Sequence, residues 1–443
     1  MQAALPSRWG FFVLRIAATG ETLCTRRHSS FVDRPFLDVV DILRGADVAC
    51  TNLETRVHTF KGAPMPVDTM GMEQSYQQAD PFVADELKWM GLDLIGRSNN
   101  HGMDYGAEML IEEAEILDRA GLLHAGAGKN LAEATRPTFV ETPNGRVGFL
   151  SMCTDFPPHC PAGEQGQLTI GRAGINAIHH DVKYEVDDET FASLTRLMTE
   201  LDMRKAVRDG QVLAFGQVFE KSQQNLAVYT PSAYDVDRNC RAIADAKLAS
   251  DYVIVHLHQE TEGHYPSERI ENLARKLIDA GADVIVGDGP HLLQGVEIYN
   301  GKPILYSLGN FFYQSETIKA FPPDMYLRGG MRPDALPQEA IEYRDAIRSG
   351  RVKKDNIRPL RSGNEYLEWH EAAIADIVFD NGKLSSIRLH AVSTYDVKRS
   401  QRGLPRIADA ETSARIISNI TSYSQPYGTA IRLEGNTGII DIA

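Results

Sequence analysis

The chain has 443 residues, with 46 Lys and Arg against 60 Asp and Glu, a net charge of −14; 43% of the residues are hydrophobic and 24% charged. This is globular composition, long enough to bury a sizeable core, and it excludes disorder, collagen and coiled coil. The acidic balance also argues against unaided binding to nucleic acid or to an anionic membrane, which need a basic footprint.

The apolar stretch from Phe11 to Ala18 is interrupted by Arg15, is too short to span a membrane and lacks the charged start of a signal peptide, so it reads as a first strand. Further buried strands are expected at Asp93–Gly96, Val147–Met152, Tyr252–Leu257 and Asp283–Gly287, short β-branched runs bounded by turn residues. Helix-period runs lie between them: Phe36, Val39, Val40 and Leu43, and then Ile270, Leu273, Ala274, Leu277 and Ile278, the latter stopping at Gly281. Strand alternating with helix predicts an α/β class, and Asn144-Gly145 and Asn381-Gly382 predict hairpins, so the sheets are mixed. Residues 155–250 are poorer in strand signals and read as an insertion or cap. Residues 321–363, rich in Pro, Gly and mixed charge, read as a lid-like excursion; one domain over 10–400 is completed by a helix and two strands in 401–443. The cysteines Cys24, Cys50, Cys153, Cys160 and Cys240 are scattered and odd in number, which suits reduced thiols in a cytoplasmic protein; Cys24 reads as packing.

In α/β sheets ligands bind at strand ends, and five strand ends here carry polar clusters. They are Thr19-Gly20-Glu21 with Arg26-Arg27 beyond; Asn52-Leu53-Glu54; Ser98-Asn99-Asn100-His101; His256-Leu257-His258 with Glu260 and Glu262; and Gly287-Asp288-Gly289-Pro290-His291. One such carboxylate or imidazole is ordinarily a cap, whereas a series on successive strands points to a shared centre. Carboxylate oxygens, an Asn carbonyl and imidazoles are the donor set of hard or borderline divalent ions.

The strings SNNHGMDYG, IDAGADVIVGDGPHLLQGVEIYNGKPILYSLGNFFY, ADVACTNLE, GLLHAGAGKNLAEATRP and YGTAIRLEGNTG resemble the capsule-synthesis protein A family, the poly-γ-glutamate synthesis proteins. The resemblance implies a calcineurin-like metallophosphatase sandwich of mixed sheets flanked by helices. It implies Glu54 and Asn100 as metal ligands, His101 as the acid/base beside them, and His258 and His291 as imidazole ligands. Two positions depart from the family: Glu21 replaces the usual Asp, and Asp288 followed by Gly289 stands where an imidazole is usual. Both remain candidate ligands, and Glu21, His101, Asp288 and His291 candidate catalytic groups. The added negative charge disfavours zinc relative to manganese or magnesium; without any metal, one carboxyl keeps a proton and can serve as a general acid. Arg26 and Arg27 are candidates to hold a substrate anion, with Asn52 and Glu262 beside them. Asp104 and Tyr105 are candidates to orient His101; His256 reads as buried structure and His179-His180 as surface.

These residues support a hydrolase acting on an amide or ester of an anionic peptide or polyglutamate; the competing reading is a metal-independent acid/base isomerase or epimerase, and a third is a non-catalytic accessory of polymer synthesis. Nucleic acid and a membrane span are not expected partners.

Overall fold

The computed structural model of the chain describes residues 13–66, 76–203, 206–208, 210–328, 331–348, 367–398 and 400–442. The first predicted strand is β1 (Val13–Leu23), followed by α1 (Arg34–Arg44), β2 (Val48–Leu53), α2 (Phe82–Met90), β3 (Leu94–Gly96), α3 (Gly106–Arg119) and β4 (Leu123–Ala125). Then come β5 (Thr138–Thr142), β6 (Gly145–Cys153), β7 (Tyr252–His258), α4 (Glu268–Asp279), β8 (Val284–Asp288), β9 (Val296–Tyr299) and β10 (Lys302–Leu305). The chain closes with β11 (Asn310–Tyr313), β12 (Glu371–Asp380), β13 (Lys383–Ser393), α5 (Ala410–Ser424), β14 (Arg432–Glu434) and β15 (Thr437–Asp441).

These strands make two mixed sheets. The first runs β14-β15-β13-β12-β1-β2-β3-β4, with β11 also on β1; the second runs β9-β10-β8-β7-β6-β5. The sheets face each other across a core built from alternate residues of both: Leu14, Ile16, Val48, Cys50, Val147, Phe149, Tyr252, Ile254, Val284 and Val286. On the outer face of the first sheet, Ala17, Ala49 and Ile95 pack against Phe36 and Val40 of α1 and Leu87 of α2. Helix α4 buries Ile270, Leu273, Ala274, Leu277 and Ile278 and packs on β8 and β10, while Ile416, Ile417 and Ile420 of α5 join the core between the sheets. The protein is therefore α/β, with mixed sheets flanked by helices. Among the described residues no helix is long and apolar enough to cross a membrane.

Helix α1 starts where Pro35 sits in its first turn, and α4 carries Glu268 and Glu271 in its first turn and Lys276 in its last, charges that suit the helix dipole. Both expected hairpins form: Thr142 pairs with Gly145, and Asp380 with Lys383 around Asn381 (φ +50°) and Gly382 (φ +79°). The two C-terminal strands extend the first sheet at its edge.

Contacts divide the chain into one unit of Met1–Ala177 with Asn239–Ala443, and a second of Ile178–Arg238. The second holds a five-stranded sheet, with strands Gln211–Ala214, Gln217–Lys221 and His180–Val186 at its centre and Leu226–Pro231 at one edge, and the helix Asp188–Glu200. Its core is Val186, Phe191, Met198, Val212 and Ala214. Strands thus form within 155–250, where strand signals are few: Gln211–Ala214 alternates exposed with buried residues, and His180–Val186, Gln217–Lys221 and Leu226–Pro231 are mostly half-buried or exposed. Within the expected lid, helices Pro323–Arg328 and Pro337–Arg348 are formed, and Phe321 and Tyr326 pack with Tyr76 and Tyr105; positions 329–330 and 349–366 lie outside the described residues.

Candidate functional site

The site continues the core faces of the parallel strands past their apolar residues. On β2 the series Val48, Cys50 is followed by Asn52; on β7 Tyr252, Ile254 by His256 and His258; on β8 Val284, Val286 by Asp288. All four polar side chains are buried at the carboxyl ends of their strands. Glu21 reaches the same space through a bulge: four residues of β1, Ala18 to Glu21, oppose three of β2, Cys50 to Asn52. Beyond Ala18, β1 exchanges its partner β12 for β11, which sets Asn310 opposite Glu21.

Two clusters result. In the first, Asp288 lies between two imidazoles, Oδ2 at 2.8 Å from His256 Nε2 and Oδ1 at 2.8 Å from His258 Nδ1. The far nitrogens are also engaged, His256 Nδ1 with Ser151 Oγ at 2.8 Å and His258 Nε2 with Glu260 Oε1 at 3.1 Å. Glu260 Oε1 in turn accepts from Asn100 Nδ2 at 2.9 Å. The second cluster gathers Glu21, Glu54 and His291. His291 Nδ1 contacts Glu21 Oε2 and lies 2.9 Å from Asn310 Oδ1, its Nε2 is 3.7 Å from Glu54 Oε1, and His258 Nδ1 lies 3.8 Å from Glu21 Oε1. His101 Nε2 stands 3.5 Å from Glu54 Oε1, with Nδ1 held by Asp104 Oδ2 at 2.9 Å. His291 adopts a left-handed backbone, φ +57°, a strain that surrounding contacts must hold.

Electrostatics follow from burial and proximity. Burial, then the neighbouring Glu21 carboxylate, pushes Glu54 up to about 7 despite nearby imidazoles. Burial works against charging His258 and His291, but Asp288 and Glu260 around the first, and Glu21 and Glu54 around the second, outweigh it and raise both well above an ordinary imidazole. His101 is raised in the same way, with Asp104 outweighing burial.

The loops carrying Glu54 and His101 rest on a buried ion triad. Arg56 Nη1 and Arg97 Nε bond Glu113 Oε2 of α3 at 3.2 and 2.9 Å, and the backbone N–H of Val57 donates to its other oxygen at 3.0 Å; all three side chains are about 1% exposed or less. Asn99 ties the same loops together, donating to Asn52 Oδ1 at 2.9 Å and Leu53 O at 3.0 Å.

Of the residues expected from sequence, Glu21, Glu54, His101, His258, Asp288 and His291 share these clusters, and Asn100 joins through Glu260. Asp104 orients His101. The four residues expected to meet substrate are placed as follows. Arg26 donates to the carbonyls of Ser400 and Arg402, which ties its guanidinium to that loop, and Arg27, an exposed side chain, pairs with Glu86 at 3.1 Å over the Phe82 ring. Asn52 is fully buried between Asn99 and His258, 3.4 Å from His258 Nδ1, a place that orients rather than recognises. Glu262 is exposed on the loop after β7. His256 was expected as structure and is buried, yet it is one of the two imidazoles on Asp288. Sequence reasoning missed Ser151, Glu260, Asn310 and Trp369, whose ring lies against His291 with centroids 5.2 Å apart. Glu260 stood in a strand-end cluster and Asn310 in the Tyr-Ser-Leu-Gly-Asn-Phe string; Ser151 is placed only by the register His256↔Ser151, which no sequence signal carries. All five cysteines are free, and burial pushes Cys24 up to about 12, as packing residues require.

Comparison with known proteins agrees with the strings that carry the resemblance. The uncharacterized protein y4sH of Sinorhizobium fredii is 31% identical over 435 residues, covering 96% of this chain and 92% of that protein. PGA biosynthesis protein CapA of Bacillus subtilis is 27% identical over 290 residues, 63% of this chain and 57% of its own length. A probable polyglutamine synthesis accessory protein of Mycobacterium tuberculosis is 26% identical over 217 residues, 48% of this chain and 43% of its own length. The family model for bacterial capsule synthesis protein PGA_cap matches residues 15–315, a span that includes both clusters, and the chain belongs to that family.

Proposed function

We propose that this protein is a hydrolase with the calcineurin-like metallophosphatase arrangement, using its carboxylate, Asn and His centre on an amide or ester of an anionic, glutamate-rich substrate in the cytoplasm. One observation carries the reading: Glu21 and Glu54 are buried side by side, and Oε1 of Glu21 and Oε2 of Glu54 have no hydrogen-bond donor, His291 Nδ1 meeting only Glu21 Oε2. Two carboxylates in a dry site need a cation or a proton between them. Carboxylate oxygens with an imidazole fit Mn²⁺, Mg²⁺ or Zn²⁺, the oxygen-rich set favouring the harder ions. Such a cation, when bound, supplies Lewis acidity toward a substrate oxygen. The chain's own residues do the rest. Asp104 fixes the His101 ring so that Nε2 faces the site, where it can pass a proton to the leaving group. Asn310 holds His291 beside Glu21, and Trp369 forms a wall against His291. The substrate class is drawn from the name of the Bacillus subtilis relative, PGA biosynthesis protein CapA, and from the family's description, bacterial capsule synthesis.

The test is turnover of γ-glutamyl peptides and esters before and after chelation. Activity should fall at least tenfold on EDTA dialysis and return with Mn²⁺; a rate untouched by chelation rejects the cation, and no turnover in the Mn²⁺-loaded protein rejects the hydrolase reading. A second reading is favoured by the Glu54 carboxyl at about 7, which suits a shared proton in place of a cation. The protein is then an isomerase that removes a proton next to a carbonyl and returns one to the opposite face, which deuterium uptake from solvent would reveal.

A further inference from the structure

The two clusters differ in how their hydrogen-bonding capacity is filled. Around Asp288 every acceptor meets a donor: each carboxylate oxygen takes one imidazole at 2.8 Å, and the outer nitrogens close on Ser151 and Glu260. Such a chain is complete without further ligands. Around Glu21 and Glu54 two carboxylates face each other, and two of their buried oxygens, Glu21 Oε1 and Glu54 Oε2, have no donor, while Glu21 Oε2 meets only His291 Nδ1. A cation set among them fills that gap in the arrangement.

We propose that the centre holds one divalent cation, on Glu21, Glu54 and His291, and that His256, Asp288 and His258 form a closed strut that binds none. The inference rests on the cation reading given above and sharpens its stoichiometry. The backbone adds a steric argument. Gly289, next to Asp288, has φ +115°, and a Cβ there would fall 1.9 Å from the Gln259 carbonyl oxygen, so this position cannot add a side-chain ligand to the strut. The strut instead braces the centre: His258 Nδ1 lies 3.8 Å from Glu21 Oε1, and Glu260 links it to Asn100. Two carboxylates with a single imidazole favour Mn²⁺ over Zn²⁺.

The experiment loads the purified full-length chain with MnCl₂, removes the excess by desalting, counts Mn by mass spectrometry and records its electron paramagnetic resonance spectrum. About one Mn per chain with the hyperfine pattern of an isolated ion is expected. Glu54→Gln should weaken Mn²⁺ binding at least tenfold, while Asp288→Asn and Ser151→Ala, with circular dichroism to verify folding, should keep about one equivalent. Two equivalents with an exchange-coupled spectrum would overturn the single-cation proposal and leave the cation reading standing. No retained Mn in the wild type would overturn both. Loss of Mn in folded Asp288→Asn with retention in Glu54→Gln would overturn the ligand assignment; if Asp288→Asn does not fold, the wild-type spectrum and Ser151→Ala decide.

Discussion

His101 has one ring nitrogen committed to Asp104 and the other turned to Glu54, so its ring orientation is fixed before any substrate arrives. His101→Gln should keep the fold and lower turnover of a γ-glutamyl substrate by about 10²–10⁴-fold, the usual worth of a general acid or base; a loss under threefold would deny it the proton-transfer role. His58 offers a separate prediction about stability. Its Nδ1 accepts from the Phe60 N–H at 3.0 Å, and burial, against the pull of Glu113, Glu112 and Asp104 and with the help of Arg56, lowers its pKa to about 4. A His depressed in the folded state contributes stability above its unfolded pKa of about 6.5, and that stability is lost as pH falls toward 4. Urea melts should therefore show up to about 3 kcal/mol lost over this window, and His58→Gln should flatten that slope. At this scale the sequence was legible where chemistry accumulates at strand ends. Glu21, Glu54, His101, His258, Asp288 and His291 all stood there. It was blind to partners far along the chain: nothing local to Arg27 points to Glu86, and nothing local to Ser151 points to His256.

Elements place these side chains with little slack. Gly96 ends β3 directly beneath His256, and a Cβ there would lie 2.6 Å from His256 Nδ1. Gly96→Ala should therefore cost about 1–3 kcal/mol of stability by overpacking and disturb the His256–Ser151 bond, which a thermal melt and the imidazole proton resonances would report. The ion triad under the loops predicts a larger effect. Glu113→Ala leaves Arg56 and Arg97 buried without their counter-charge, at a cost of about 3–5 kcal/mol; a melt within a degree of wild type would refute the triad's role. Strands and helices of the main unit were readable because their apolar periods are long. The bulge in β1 was not, since only the pairing with β2 shows that Glu21 and Asn52 come level. The strands of 178–238 escaped for a related reason, half of each facing outward.

At the scale of the whole main unit, the two sheets divide the site between them. Glu21, Glu54 and His101 come from the first sheet and its loops, His256, His258, Asp288 and His291 from the second. A cation on Glu21, Glu54 and His291 bonds both sheets at once, so it should stabilise the unit by mass action, about 2.7 kcal/mol at a hundred times its dissociation constant. Differential scanning calorimetry with increasing Mn²⁺ should show a melting temperature that climbs by a few degrees, and a flat response would place the ion elsewhere. Because neither sheet carries a complete centre, the proposed chemistry requires the two to be docked in register. On that reading a nascent or partly unfolded chain, however well formed its separate sheets, is chemically silent, and activity would be a direct gauge of tertiary assembly.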